Sequence, residues 1–178
     1  MSEELKQYIL KNGLILGVIY VFFCMFKYLS GVDTFVDTYF GIASLLLSII
    51  FPVYYCVQLR KIRGGYIDFK EVFTACTGIL IAAGFIDVVF QILLLNIIDP
   101  GFAVDLLDAS INAVVAQLDN FGVPEDEIAL AIENIESNSN YSPMNLLKGF
   151  CFSVLGYSIF GLIVAVIIKK NKPEFLNE

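Results

Sequence analysis

Four long apolar runs separated by short polar punctuation set the pattern of this chain. Residues 12–26 carry no charge, and Lys27 is followed by one further apolar turn. Fifteen residues fall short of the roughly 20 needed to cross a hydrocarbon core. Continuing through Lys27 to Val32 supplies the length if the lysine snorkels or is paired. Residues 38–59 are a second run of 22 residues without a charge, with Gly41, Ser44 and Ser48 as a small-residue stripe and Pro52 as an expected kink. The third run has 27 residues between Glu71 and Asp99, enough to span with tilt. The fourth, residues 149–168, is closed by Lys169, Lys170 and Lys172. The pattern predicts spans at 12–32, 38–59, 70–98 and 147–168.

Between the third and fourth runs the character changes. Residues 101–145 hold Asp105, Asp108, Asp119, Glu125, Asp126, Glu127, Glu133 and Glu136, and no Lys or Arg. Phe102, Leu106, Ile111, Val114, Val115, Leu118 and Phe121 recur at helical spacing, which predicts an amphipathic helix. Gly122-Val123-Pro124 breaks it, and Glu125, Asp126 and Glu127 open a shorter helix where carboxylates complement the macrodipole. The apolar face of that helix is Ile128, Ala131, Ile132 and Ile135, and residues 137–140 read as a loop. The expected architecture is all-α: an integral membrane four-helix bundle in one domain, residues 1–178, with residues 99–145 as an external acidic helical hairpin.

Composition agrees with the pattern. Hydrophobic residues make up 58% and mean hydropathy is +0.78, against roughly 45–50% apolar in soluble domains. The net charge of -7 disfavours nucleic acid as a partner. There is no Trp, so an aromatic belt falls to the 9 Tyr, and no His to act as base, shuttle or ligand. Cys24, Cys56, Cys76 and Cys151 fall in four different runs with no Cys-x-x-Cys pair and read as apolar packing residues. Glu3 and Glu4 dilute the basic start and no small-x-small site follows the first run, so an uncleaved first helix is expected. Gly13 and Gly17 form a Gly-x-x-x-Gly pair of the kind that marks close helix packing.

Orientation follows from the basic residues. With four spans, Lys6, Lys11, Arg60, Lys61, Arg63, Lys70, Lys169, Lys170 and Lys172 lie on one side, nine of the 11. Lys27 and Lys148 fall toward the other. The positive-inside rule then places both termini in the cytoplasm and residues 99–145 outside, and Arg60, Lys61 and Arg63 read as topogenic. Gly64-Gly65 is a turn needing backbone freedom, Asp68 suits an N-cap with Glu71 in capping-box spacing, and Asp99-Pro100 suits a second cap.

The stretch Arg-x-x-Arg-Gly-Gly-Tyr-Ile-Asp-Phe-Lys-Glu-Val-Phe, residues 60–73, resembles the second-to-third helix junction of the membrane family called domain of unknown function 4199. That family shows Gly-aromatic-Ile-Ser-Phe-x-Glu-Ala-Phe there. It also has a helix-ending Ile-x-Pro, here Ile98-Asp99-Pro100, an acidic helical insert and a last helix closing on lysines. The resemblance covers residues 10–170, with Asp68 where Ser or Thr is commoner. It implies a four-helix protein of the bacterial inner membrane and no activity, site residue or cofactor.

Asp87 is the residue that scaffolding does not explain. It lies 16 residues after Glu71, roughly 24 Å along the helix, and Lys27 lies roughly 22 Å into the first. Two readings stand: a Lys27–Asp87 ion pair, or a carboxylate that binds a proton or cation, with Gln91 and Asn96 continuing a polar path. No Gly-x-Ser-x-Gly elbow, Walker motif or dinucleotide glycine pattern occurs, so no enzyme and no cofactor is expected. The external carboxylates lack an EF-hand loop. The expected function is a non-enzymatic accessory or interaction subunit whose partners are the lipid bilayer and either a second copy or another membrane protein. The alternative is a small oligomeric channel or transporter using Asp87.

Overall fold

The computed structural model describes residues 2–138 and 141–170. Lys172, and the loop residues Ser139 and Asn140, lie outside them. Among the described residues the chain forms seven α-helices: α1 Glu3–Ser30, α2 Val32–Val36, α3 Thr38–Ile62, α4 Phe69–Leu93, α5 Pro100–Asn120, α6 Glu125–Asn138 and α7 Pro143–Ile168. A π-helical turn, Leu94–Ile98, extends α4, and Asp99 N–H donates to Leu94 O at 2.8 Å across it. Ile67 and Lys170 form an isolated antiparallel bridge.

Among the described residues, five helices are long and apolar enough to cross a membrane: Glu3–Ser30, Thr38–Ile62, Phe69–Ile98, Pro100–Asn120 and Pro143–Ile168. They fit a multi-pass membrane protein, with one more candidate than the sequence pattern suggested. The addition, α5, is the least apolar of the five. It carries Asp105, Asp108 and Asp119, but its apolar positions are dense enough to qualify it.

Two compact units divide the chain. The first takes its described residues from Met1–Tyr20, Ser44–Asp87 and Phe150–Glu178. Its core holds Leu16, Cys56, Val72, Ala75, Cys76, Ile79, Leu80 and Ala83, all essentially without exposure. Lipid tails are as apolar as leucine, so burial alone does not hold such helices together; close packing does. A Cβ at Gly13 would stand 2.6 Å from Ala82 Cβ, one at Gly17 2.6 Å from Ile86 Cδ1, and one at Gly78 2.9 Å from Ile9 Cγ2. The matched series 9, 13, 17 and 78, 82, 86 shows α1 and α4 running parallel at close range. The Gly-x-x-x-Gly pair therefore does what its spacing suggested.

The other two helices of this unit run the opposite way. Tyr8 donates to Tyr55 O at 2.8 Å and Tyr20 to Ser48 Oγ at 2.9 Å, so α3 is antiparallel to α1. Gly161 lies against Thr77, and Gly84 against Tyr157 and Phe150, so α7 is antiparallel to α4. Arg60 donates to Ile168 O at 3.3 Å and so satisfies one of the last carbonyls of α7.

The second unit takes its described residues from Val21–Ala43 and Val88–Gly149. Cys24, Leu94, Leu95, Phe102 and Leu106 form its core, with Tyr28, Phe35, Phe90 and Tyr141 packed around them. Tyr28 and Phe35 both meet Phe102 edge-on, at 4.9 and 5.4 Å between ring centroids. The segment after α1 contains the short helix α2, and α2 packs on α5. The α6 helix runs through Ser137 to Asn138, past the expected loop start. Phe121, assigned to the apolar face of α5, is 83% exposed at the helix C-cap. The helix ends there on Gly122 at φ +69, so the face does not continue to that position.

Candidate functional site

In the first unit, α4 carries Asp87 within electrostatic reach of two tyrosine hydroxyls from other helices. Tyr20 reaches in from α1 and donates to Ser48 Oγ of α3, which in turn donates to Ser44 O at 3.0 Å. Tyr157 of α7 packs one turn below Asp87, its hydroxyl 3.0 Å from where a Gly84 Cβ would stand. Gly84 is thus the space in which Tyr157 lies. The Asp87 carboxylate bears electrostatically on both tyrosine hydroxyls. Asp87, Tyr20, Ser48 and Tyr157 are all partly buried. The sequence flagged Asp87 alone, because one Tyr or Ser in an apolar run carries no signal until the helices are assembled.

A carboxylate near tyrosine hydroxyls presents oxygen atoms, the ligand type that a proton or a hard cation takes. Asp87 lies 18 residues after Phe69, roughly 27 Å along α4 at 1.5 Å per residue. A lone charge at that depth is expensive, and polar neighbours lower its cost.

Lys27, the expected partner, belongs to the second unit. Its ammonium lies 4.5 Å from the centroid of the Phe35 ring and 5.8 Å from that of Phe23, a cation–π arrangement. Pairing with Asp87 stands as an expectation. Gln91 follows Asp87 by one helical turn and is partly buried. Asn96 donates to Ile92 O at 3.2 Å and to Tyr141 O at 3.0 Å, which ties the π-helical turn to the segment before α7. Its amide is thereby committed to backbone.

At the junction, Gly64, Gly65, Arg63 and Glu71 hold the turn itself together. Gly64 and Gly65 have φ of +73 and +89, a conformation that disfavours side chains. Arg63 donates from Nε to Glu71 Oε1 at 2.9 Å and from a terminal nitrogen to Glu4 Oε2 at 3.1 Å. Glu71 therefore serves a cross-turn ion pair with Arg63. Burial opposes the Arg63 charge, but the Glu71 and Glu4 carboxylates outweigh it and hold the guanidinium above its ordinary range. Asp68 and Lys61 are exposed.

Asp99 caps α5 by accepting from Phe102 N at 3.0 Å, with Pro100 in the first turn, and also accepts from Tyr28 at 3.0 Å. Cys56 and Cys76, from separate runs, meet thiol to thiol inside the first unit. Among the described residues no group of three or more His, Cys, Asp or Glu is disposed to hold a metal ion.

A family profile of proteins of unknown function covers residues 11–170, nearly the whole chain and all of the junction described above. The chain belongs to the DUF4199 family. That family has no assigned activity, so membership places no role on any residue. No curated protein and no solved structure matches the chain.

Proposed function

We propose that the protein is a non-enzymatic, multi-pass component of the bacterial inner membrane whose working site is the Asp87 cluster, which takes up a proton or a small cation. The observation that supports this reading is that one carboxylate on α4 acts electrostatically on two tyrosine hydroxyls from other helices, Tyr20, which is held by Ser48 of α3, and Tyr157. Four helices contribute to it, so the site exists only in the assembled unit. In this reading α1, α3, α4 and α7 are the spans. Their alternating directions support it, since they bring both termini to one side, together with the basic residues of the junction. Residues 99–145 then lie outside. Four spans are few for a transporter, so a second copy of the chain completes any conducting path.

Reconstitution into proteoliposomes tests the reading. Asp87→Asn should abolish a proton or cation flux while insertion and helicity stay unchanged, and Tyr20→Phe or Tyr157→Phe should reduce it. A flux that survives Asp87→Asn would overturn the proposal.

A second reading rests on Lys27, a partly buried cation in the last turn of α1 that lies over the rings of Phe23 and Phe35. Here Asp87 pairs with Lys27, the charges are scaffold, and the protein serves as an accessory or interaction subunit. Exchange of the two charges, Lys27→Asp with Asp87→Lys, then restores expression lost in each single variant. Absence of rescue removes this reading.

A further inference from the structure

A cavity of about 290 Å³ opens at the junction end of the first unit, lined by Ser2, Leu5, Asp68, Lys70, Glu71 and Thr74. Its size is at the lower limit of ligand pockets, roughly 300–1,000 Å³, and suits a small polar group. The lining combines one ammonium, two carboxylates and two hydroxyls over the buried side chain of Leu5. Glu71 is already paired with Arg63, so Asp68 is the carboxylate left to meet a ligand, with Lys70 beside it. The site therefore offers opposite charges side by side, which matches a ligand carrying both.

Its level along the helices narrows the choice. The α1–α4 register pairs Ile9 with Gly78, and one turn back it pairs Leu5 with Thr74. Both flank the cavity. Thr74 is inside the apolar run of α4, and Asp68, Lys70 and Glu71 precede it. If α1 and α4 span, as read above, the cavity sits where headgroups lie.

We propose that this cavity is a binding site for the headgroup of a zwitterionic phospholipid bearing a primary ammonium, phosphatidylethanolamine. The ammonium donates to Asp68, the phosphate meets Lys70, and the hydroxyls of Ser2 and Thr74 complete the hydrogen bonding. A primary ammonium carries three N–H donors and a quaternary one carries none, so Asp68 discriminates between them.

Native mass spectrometry of the full chain in detergent, with phosphatidylethanolamine, its N-methyl and N,N-dimethyl derivatives, phosphatidylcholine and phosphatidylglycerol at equal concentration, tests this. Phosphatidylethanolamine should be retained over phosphatidylcholine by about tenfold, the worth of a charge-assisted hydrogen bond. Retention should fall stepwise with each methyl. Asp68→Asn, which keeps helix-capping ability, should bring the ratio close to one, and Lys70→Gln should weaken both lipids together. Equal retention of the two lipids, a preference for phosphatidylglycerol, or a preference unchanged in Asp68→Asn would each overturn the proposal. The methyl series uses the native sequence, so it decides the question even if a variant folds poorly.

Discussion

Single residues show why a carboxylate in a membrane helix demands an explanation. Asp99 has one: at the head of α5 it accepts a backbone N–H and the Tyr28 hydroxyl. Asp99→Ala should therefore destabilise the protein by about 1–2 kcal/mol, read from unfolding in mixed micelles. Asp99→Asn should lose much less. The cap was legible from the Ile-Asp-Pro order, because capping is a local rule. Asp87 was legible only as an anomaly. The tyrosine hydroxyls it acts on lie 67 and 70 residues away, at Tyr20 and Tyr157, and no local rule connects them. The same non-locality hid the contact between Cys56 and Cys76, two residues that the sequence offered only as scattered small apolar side chains.

At the level of helices, the decisive contacts are those where glycine admits a neighbour. Gly13→Ala and Gly17→Ala each place a Cβ about an ångström too close to α4. Each should lower stability by about 1–3 kcal/mol through forced separation of α1 from α4. Gly156 and Gly149 on α7 have nothing within 4 Å of an added Cβ. Gly156→Ala should be neutral or stabilising by about 0.5–1 kcal/mol, because alanine is the better helix former. Matched unfolding curves for the three variants check both expectations, and equal losses at all three positions would contradict the assigned register. The long helices and their small-residue pairs were readable because apolar length and four-residue spacing survive in any context. The short helix α2, the π-helical turn and the true end of α5 were not. Five residues of helix give too little periodicity to detect, and a π turn differs from an α turn only in where its hydrogen bonds close.

For the whole molecule, the open choice is whether α5 crosses the bilayer. Its length permits a crossing. Asp105, Asp108 and Asp119 oppose one, since each would place a carboxylate within the helix and residues 101–145 hold no basic residue to pair with it. Reporter fusions should thus place both termini in the cytoplasm, and a cysteine introduced at Asn120 should react with an impermeant maleimide from outside. Termini on opposite sides would make α5 a fifth span. In the proposed four-span reading Asp87 falls in the outer half of the bilayer, near the tyrosine hydroxyls of α1 and α7, and takes up a proton there. Infrared difference spectra of the reconstituted protein across a pH titration address that directly. The expected result is one component of the protonated-carboxyl C=O absorption that grows as pH falls, persists in Asp68→Asn and is missing from Asp87→Asn, over the absorption of the other Asp and Glu side chains. Wild-type and Asp87→Asn spectra with the same carboxyl absorption throughout the titration would show that Asp87 does not exchange a proton and would leave it as scaffold.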